Sequence, residues 1–190
     1  MEKVVKEGEV ELYNSAAVVD REGTPIFNTR KAHLYYAEEL WGKEGDGFHS
    51  LDIVTCEGKT LRCSVGICMD INEKKFKSGK WEFGEHIKQE KADVILFPTN
   101  WTDSDPHDSQ SAMQIYNYWA YRLKPVLKPS STKNVLFLAA DRVGTEYGFF
   151  NKEYTCFMGG SCAISFNPNV LVDRLDKKKE TTLKVTYPLQ

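Results

Sequence analysis

No apolar run in this chain approaches the roughly 20 residues that a membrane-spanning helix needs, so no helical span is expected. Neither sign of charge dominates: 25 basic side chains stand against 27 acidic ones, for a formal charge of -2. That balance removes the electrostatic case for nucleic acid or an anionic membrane surface as partner. The five cysteines, Cys56, Cys63, Cys68, Cys156 and Cys162, include no Cys-x-x-Cys pair, so a zinc site of that type is excluded. The acidic stretch Asp103-Ser104-Asp105-Pro106-His107-Asp108 lacks the glycine and closing glutamate of a calcium loop. Neither a metal nor a cofactor is expected. Residues 1–11 are mostly charged and do not read as a secretory signal. Together with the odd number of cysteines, this argues for reduced thiols and a cytoplasmic setting. No internal repeat or low-complexity linker divides the 190 residues, so a single domain is expected over 1–190.

What remains has the composition of an ordinary globular protein, 41% hydrophobic and 27% charged, long enough for one real core. Residues 9–20 are β-rich and end at the turn signal Arg21-Glu22-Gly23, and residues 24–34 read as a second strand completing a hairpin. Residues 50–56 and 60–67 form another strand pair about Glu57-Gly58-Lys59. Helices are predicted over 81–91 and 111–123, the second from the spacing of Ile115, Tyr116, Trp119, Ala120 and Leu123. Buried strands are predicted over 94–97, ended by Pro98, and over 135–140, with further β structure over 155–166 and 182–187. Lys177 to Lys179 read as a solvated loop. Interleaved strands and helices, with several strands wholly apolar, argue for an α/β layered domain whose sheets are covered by helices.

The stretch Leu61-Arg62-Cys63-Ser64-Val65-Gly66-Ile67-Cys68-Met69-Asp70 is the most informative. An apolar strand runs into Cys68, and polar Asp70 and Asn72 follow at once. Gly66 permits close approach of another backbone or a substrate. A nucleophile at a strand end is held rigidly, and the following N–H, that of Met69, can point at a developing oxyanion. By itself the stretch also fits a buried structural cysteine. The other four cysteines lack this context and read as structural. Lys31, in Arg30-Lys31-Ala32-His33-Leu34, lies near a strand end, where a lone lysine is ordinarily a solvated charge.

Taken together, the segment Arg30 to Leu34 and, 37 residues on from Lys31, the cysteine of Val65-Gly66-Ile67-Cys68-Met69-Asp70 resemble the nitrilase superfamily of carbon–nitrogen hydrolases. Phe97-Pro98-Thr99-Asn100-Trp101, Asn134-Val135 through Asp141-Arg142-Val143-Gly144 with Glu146, and Gly159-Gly160-Ser161-Cys162-Ala163-Ile164 are similar, in order, to further family segments. Within the superfamily the chain most resembles the protein N-terminal amidase branch, which deamidates N-terminal asparagine or glutamine and feeds an N-degron pathway.

The resemblance implies an αββα four-layer sandwich, here incomplete at the N-terminus, with the first strands and helices missing. It implies a Glu-Lys-Cys triad in which Cys68 is the nucleophile and Lys31 the lysine, with Met69 N–H at the oxyanion. The family's base is a glutamate well before the lysine, and none of Glu2, Glu7, Glu9, Glu11 or Glu22 has its context. A supporting glutamate that positions the lysine and water is expected at Glu39, with Glu38 beside it. An N-terminal substrate presents an ammonium near the scissile amide, so carboxylates near Cys68 are needed. Asp70 and Asp103 are the candidates, with Asn100 and Trp101 walling the pocket. The implied partners are protein or peptide N-termini, or a small amide, and a homodimer is compatible. Three readings stand: an N-terminal amidase, weak or inactive in this chain; another small-molecule amidase of the family; or a non-catalytic remnant that binds a partner.

Overall fold

The protein is described by a computed structural model covering residues 1–76, 80–127, 133–147 and 154–188. Its centre is a six-stranded mixed sheet. In spatial order this runs β5 (His49–Val54), β6 (Thr60–Val65), β7 (Val94–Thr99), β8 (Val135–Asp141), β11 (Cys162–Phe166) and β12 (Val170–Arg174). The middle strands β6, β7 and β8 are parallel, and antiparallel neighbours flank them on both sides. The parallel connections carry α1 (Glu82–Glu90) and α2 (Ser111–Arg122), as parallel strands require a crossover.

Alternation along the strands sorts the core into two layers. Ile95 and Phe97 of β7, Phe137 and Ala139 of β8, and Ile164 and Phe166 of β11 face the helices, around Trp119, which is fully buried. Val94 and Leu96 of β7, with Leu51 and Val65, face the opposite way. Ala16, Val18 and Phe27 pack there from a hairpin of β3 (Ser15–Val19) and β4 (Pro25–Arg30). The described order is therefore helix, sheet, then hairpin. The second sheet of the expected sandwich is represented on this face by β3 and β4. Two other antiparallel pairs complete the fold: β1 (Glu2–Lys6) with β2 (Glu9–Tyr13), and β9 (Val143–Tyr147) with β10 (Tyr154–Met158). No described helix is long and apolar enough to cross a membrane.

Several expectations are corrected. Pro98 does not end β7, which continues to Thr99. β6 has left the ladder after Val65 pairs with Leu96, so no neighbour on that side requires the N–H that proline lacks. Residues 155–166 are not one strand: Gly159 and Gly160, at φ 61 and 65, break them into β10 and β11. Residues 182–187 form no strand, although Tyr187 reaches Ser165 with its hydroxyl at 2.5 Å. The strands β1 and β12 carry no alternation strong enough to read from sequence.

Gly66 extends the β6 line toward the site, and a Cβ there would stand 2.4 to 2.9 Å from the Phe83 ring of α1. Phe83 is fully buried, so the ring has nowhere to go. Gly66→Ala is expected to lower the unfolding free energy by about 1–3 kcal/mol through overpacking, read as a lower urea midpoint. An unchanged midpoint would show that α1 can shift freely away from β6.

Candidate active site

The carboxyl ends of the parallel strands β6, β7 and β8 bring three segments side by side. This is where open α/β sheets ordinarily hold their chemistry. After β6 the chain turns through Cys68, whose φ is 48, into a short 3-10 helix, Cys68–Ile71. A non-glycine residue in the left-handed region is uncommon and marks a turn fixed by its surroundings. The fixing group is Asp70, which is 3% exposed. Its Oδ2 accepts from Ile67 N at 2.8 Å, and its Oδ1 accepts from Ala32 N at 2.9 Å and His33 N at 2.8 Å. One carboxylate therefore ties the cysteine turn to the segment that carries Lys31. The imidazole of His33 adds a second tie, from Nδ1 to Asn72 O at 2.8 Å. A carbonyl only accepts, so Nδ1 is the protonated nitrogen.

Lys31 is 1% exposed, and its Nζ donates to Glu38 Oε2 at 2.5 Å. The same oxygen accepts from Tyr35 N at 2.7 Å, and Glu38 Oε1 accepts from Asn14 Nδ2 at 2.6 Å. The Lys31 backbone is gripped from both sides, N to Asn14 O and O from Gly45 N, each at 2.8 Å. The glutamate on the lysine is thus Glu38, not Glu39. A turn opening at Tyr35 aims the first glutamate of the 3-10 helix Glu38–Leu40 inward and leaves the second exposed. Glu39 instead lines a cavity of about 210 Å³ with His33, Tyr35, Met69 and Phe76.

Burial pushes the Cys68 thiol up, while the Lys31 ammonium, the Thr99 hydroxyl and Asn100 N–H pull it back toward the thiolate. The Glu38 charge opposes them. Met69 N–H belongs to the first turn of the 3-10 helix, where an N–H has no intrahelical acceptor. The remaining cysteines differ. Cys63 and Cys162 lie in the core, and burial pushes them to about 11 and about 12, with no cation as strong as Lys31 set against it.

A match decides what this constellation belongs to: the carbon–nitrogen hydrolase family model covers residues 1–190. The chain belongs to the carbon–nitrogen hydrolase family. The protein N-terminal amidase of Saccharomyces cerevisiae is 36% identical over 112 residues, covering 50% of this chain and 24% of the relative. That of Schizosaccharomyces pombe is 26% identical over 163 residues, covering 77% and 55%. The chain thus spans between a quarter and just over half of these curated relatives. The crystal structure of an N-terminal amidase with an Asn-Glu-Ala peptide superposes with a TM-score of 0.74 at 20% identity, over 93% of this chain and 74% of that one. At that identity the likeness establishes the fold: a mixed sheet with helices, of nitrilase type.

The candidate substrate residues of this chain divide. Asn100 is exposed and Trp101 half-buried, its ring against Tyr118 and Trp119 with centroids 5.9 and 5.7 Å away. Asp70 has both oxygens committed to backbone N–H groups. Asp103 is equally committed: its Oδ2 pairs with Lys177 Nζ at 2.6 Å, with side chains 1% and 10% exposed. Lys177 also donates to Ser111 Oγ at 2.5 Å and Asp108 O at 3.0 Å. It is therefore a buried staple on the loop after Trp101, not part of a solvated lysine run. The sequence carries no local trace of this, because the partners lie more than 60 residues apart. Among the described residues no cluster of three or more His, Cys, Asp or Glu is placed to hold a metal ion.

Proposed function

We propose that this chain carries the nucleophile, the lysine and the supporting glutamate of an amidohydrolase that deamidates N-terminal asparagine or glutamine of proteins and peptides, in the cytoplasm. One observation carries the reading: Cys68 stands in a strained turn that Asp70 ties to the segment carrying the buried Lys31, whose charge draws the thiol down against its burial. The similarity to amidases acting at protein N-termini supports the substrate class.

In this reading the Cys68 thiolate attacks the side-chain amide carbonyl and a sulfur–carbon bond forms. The negative charge passes to oxygen, where Lys31 and Met69 N–H stabilise it, each donor worth about 3 kcal/mol. The carbon–nitrogen bond breaks, ammonia leaves with the thiol's proton, and water then cleaves the thioester to a carboxylate. Both proton transfers need a base. Glu38 already accepts three hydrogen bonds and Asp70 three, so neither is free for that work. Of the two glutamates on the cavity beside Met69, Glu44 is paired with Lys74, and Glu39 is the one that would meet a substrate ammonium.

The test is ammonia release from Asn-starting and Gln-starting peptides, from the same peptides with blocked amino groups, and from small ω-amides. Release from free-amino peptides is expected, and its loss in Cys68→Ala. Glu39→Gln is expected to narrow the gap between free and blocked peptides. Hydrolysis of small amides alone would favour the small-molecule amidase reading. Turnover that survives Cys68→Ala would end both, and peptide binding without any Cys68-dependent release would favour the non-catalytic one.

A further inference from the structure

Asp141 closes β8 on the helix-facing side of the sheet, in register with Thr99 on the adjacent parallel strand. Neighbouring strands lie about 4.8 Å apart, so Asp141 is one strand removed from the residue that faces the nucleophile. Its Oδ1 accepts from Trp101 N at 2.9 Å. The backbone on either side repeats the grip: Arg142 N donates to Thr99 O at 3.1 Å, and Asp141 N donates to Ser161 Oγ at 2.9 Å. Trp101 O in turn accepts from Met158 N at 2.8 Å. The turn from Thr99 to Trp101 is exposed at Asn100, yet the Asn100 N–H faces the Cys68 sulfur. Beside these backbone bonds, Asp141 is the side chain bonded to the backbone of the turn.

We propose that Asp141 is a positioning residue for the nucleophile, setting the Thr99–Trp101 turn so that the Thr99 hydroxyl and Asn100 N–H meet the Cys68 sulfur. The proposal rests on Cys68 being the nucleophile. Burial pushes the Asp141 carboxyl up to about 8, so near neutral pH it is largely the neutral acid. The carbonyl-type oxygen that accepts from Trp101 N is present in that state as well. Positioning therefore requires the acceptor and not the charge, and asparagine should replace aspartate here. Ionisable groups facing Asp141 are the thiol of Cys162 and the phenol of Tyr116. Those facing the Cys68 sulfur are Lys31, Glu38 and Tyr35.

The experiment follows the rate of Cys68 alkylation by iodoacetamide against pH, with peptide mass spectrometry assigning each cysteine. It needs no turnover. In the unmodified chain Cys68 is expected to react with a pH midpoint below that of Asp141→Ala by about one unit, and roughly tenfold faster at neutral pH. Asp141→Asn is expected to restore the parent profile. A folded Asp141→Ala with the parent's profile overturns the proposal, as does an asparagine variant as impaired as alanine. If the alanine variant does not fold, hydrogen exchange in the unmodified chain decides. The Trp101 amide should then be protected like the amides of β8, and fast exchange there overturns the proposal. Cys68 that alkylates no faster than Cys63 in the unmodified chain would instead sink the hydrolase reading itself, leaving the two failures distinguishable.

Discussion

Asp70→Ala is expected to cost the fold about 3–6 kcal/mol, most of the margin of a typical domain. Removing the carboxylate orphans the N–H groups of Ile67, Ala32 and His33, and a buried donor without a partner costs about 1–3 kcal/mol. Asp70→Asn keeps an acceptor for Ala32 and His33 but turns an NH2 group toward Ile67 N–H, so it should fall between alanine and the parent. Urea unfolding followed by tryptophan fluorescence measures the order. Alanine and parent midpoints that coincide would mean the two segments are held by something else. The pH dependence has a definite sign. Burial pushes Asp70 up to about 6 from 3.8, against the N–H bonds from Ile67 and His33 that favour the carboxylate. A carboxyl that holds its proton to higher pH when folded loses stability as pH rises. The parent should therefore weaken between about pH 4 and 6, and Asp70→Asn should flatten that part of the curve. Asp141, at about 8, carries the same decline to higher pH.

Such a role for Asp70 was not legible in the sequence, although its position was. A carboxylate two residues past a cysteine that follows a strand reads equally as a substrate contact or as a clamp. Only the approach of residues 32 and 33 to the β6 turn decides between them. That Cys68 and Lys31 lie near one another followed from the family resemblance and not from their local strings, which by themselves fit a structural cysteine and a solvated lysine; the structure ties their two segments through Asp70. The glutamate on Lys31 was misplaced by one residue. Spacing along an irregular segment does not say which of two adjacent carboxylates a 3-10 turn aims inward. Lys177 read as solvent because charge runs usually are, whereas Asp103 and two acceptors on the loop and α2 draw it in from more than 60 residues away. Asp141 could be seen only once β7 and β8 were paired, since its neighbour Thr99 is remote in sequence. The hairpin expected from 9–20 and 24–34 survives only as β3 with β4, because the chain breaks at Asn14 and β2 pairs with β1 instead; both helices lie where they were expected, the second from its periodicity. Pairings that rest on weakly patterned strands, β1 and β12 above all, were not legible.

Lys31→Met should separate the chemistry from the folding. The lysine is 1% exposed and its partner Glu38 14%, so removing one member leaves a carboxylate with little water around it. Breaking such a pair ordinarily costs about 3–5 kcal/mol, while replacing both members with apolar or neutral groups of similar volume is often neutral. Lys31→Met alone should therefore unfold at markedly lower urea, and Lys31→Met with Glu38→Gln should recover much of the loss. Reactivity should not recover with it. Lys31 is the foremost of the influences that draw the Cys68 thiol down against its burial, and no other cation acts on that sulfur as strongly. Both variants should alkylate at Cys68 at least tenfold more slowly near neutral pH, and any Cys68-dependent amide hydrolysis should fall by about 10²–10³, the usual loss for one oxyanion donor. A double variant as reactive as the parent would show that Lys31 serves only to fill the interior. Stability regained without reactivity would place the ammonium in the chemistry, with Glu38 there to hold it.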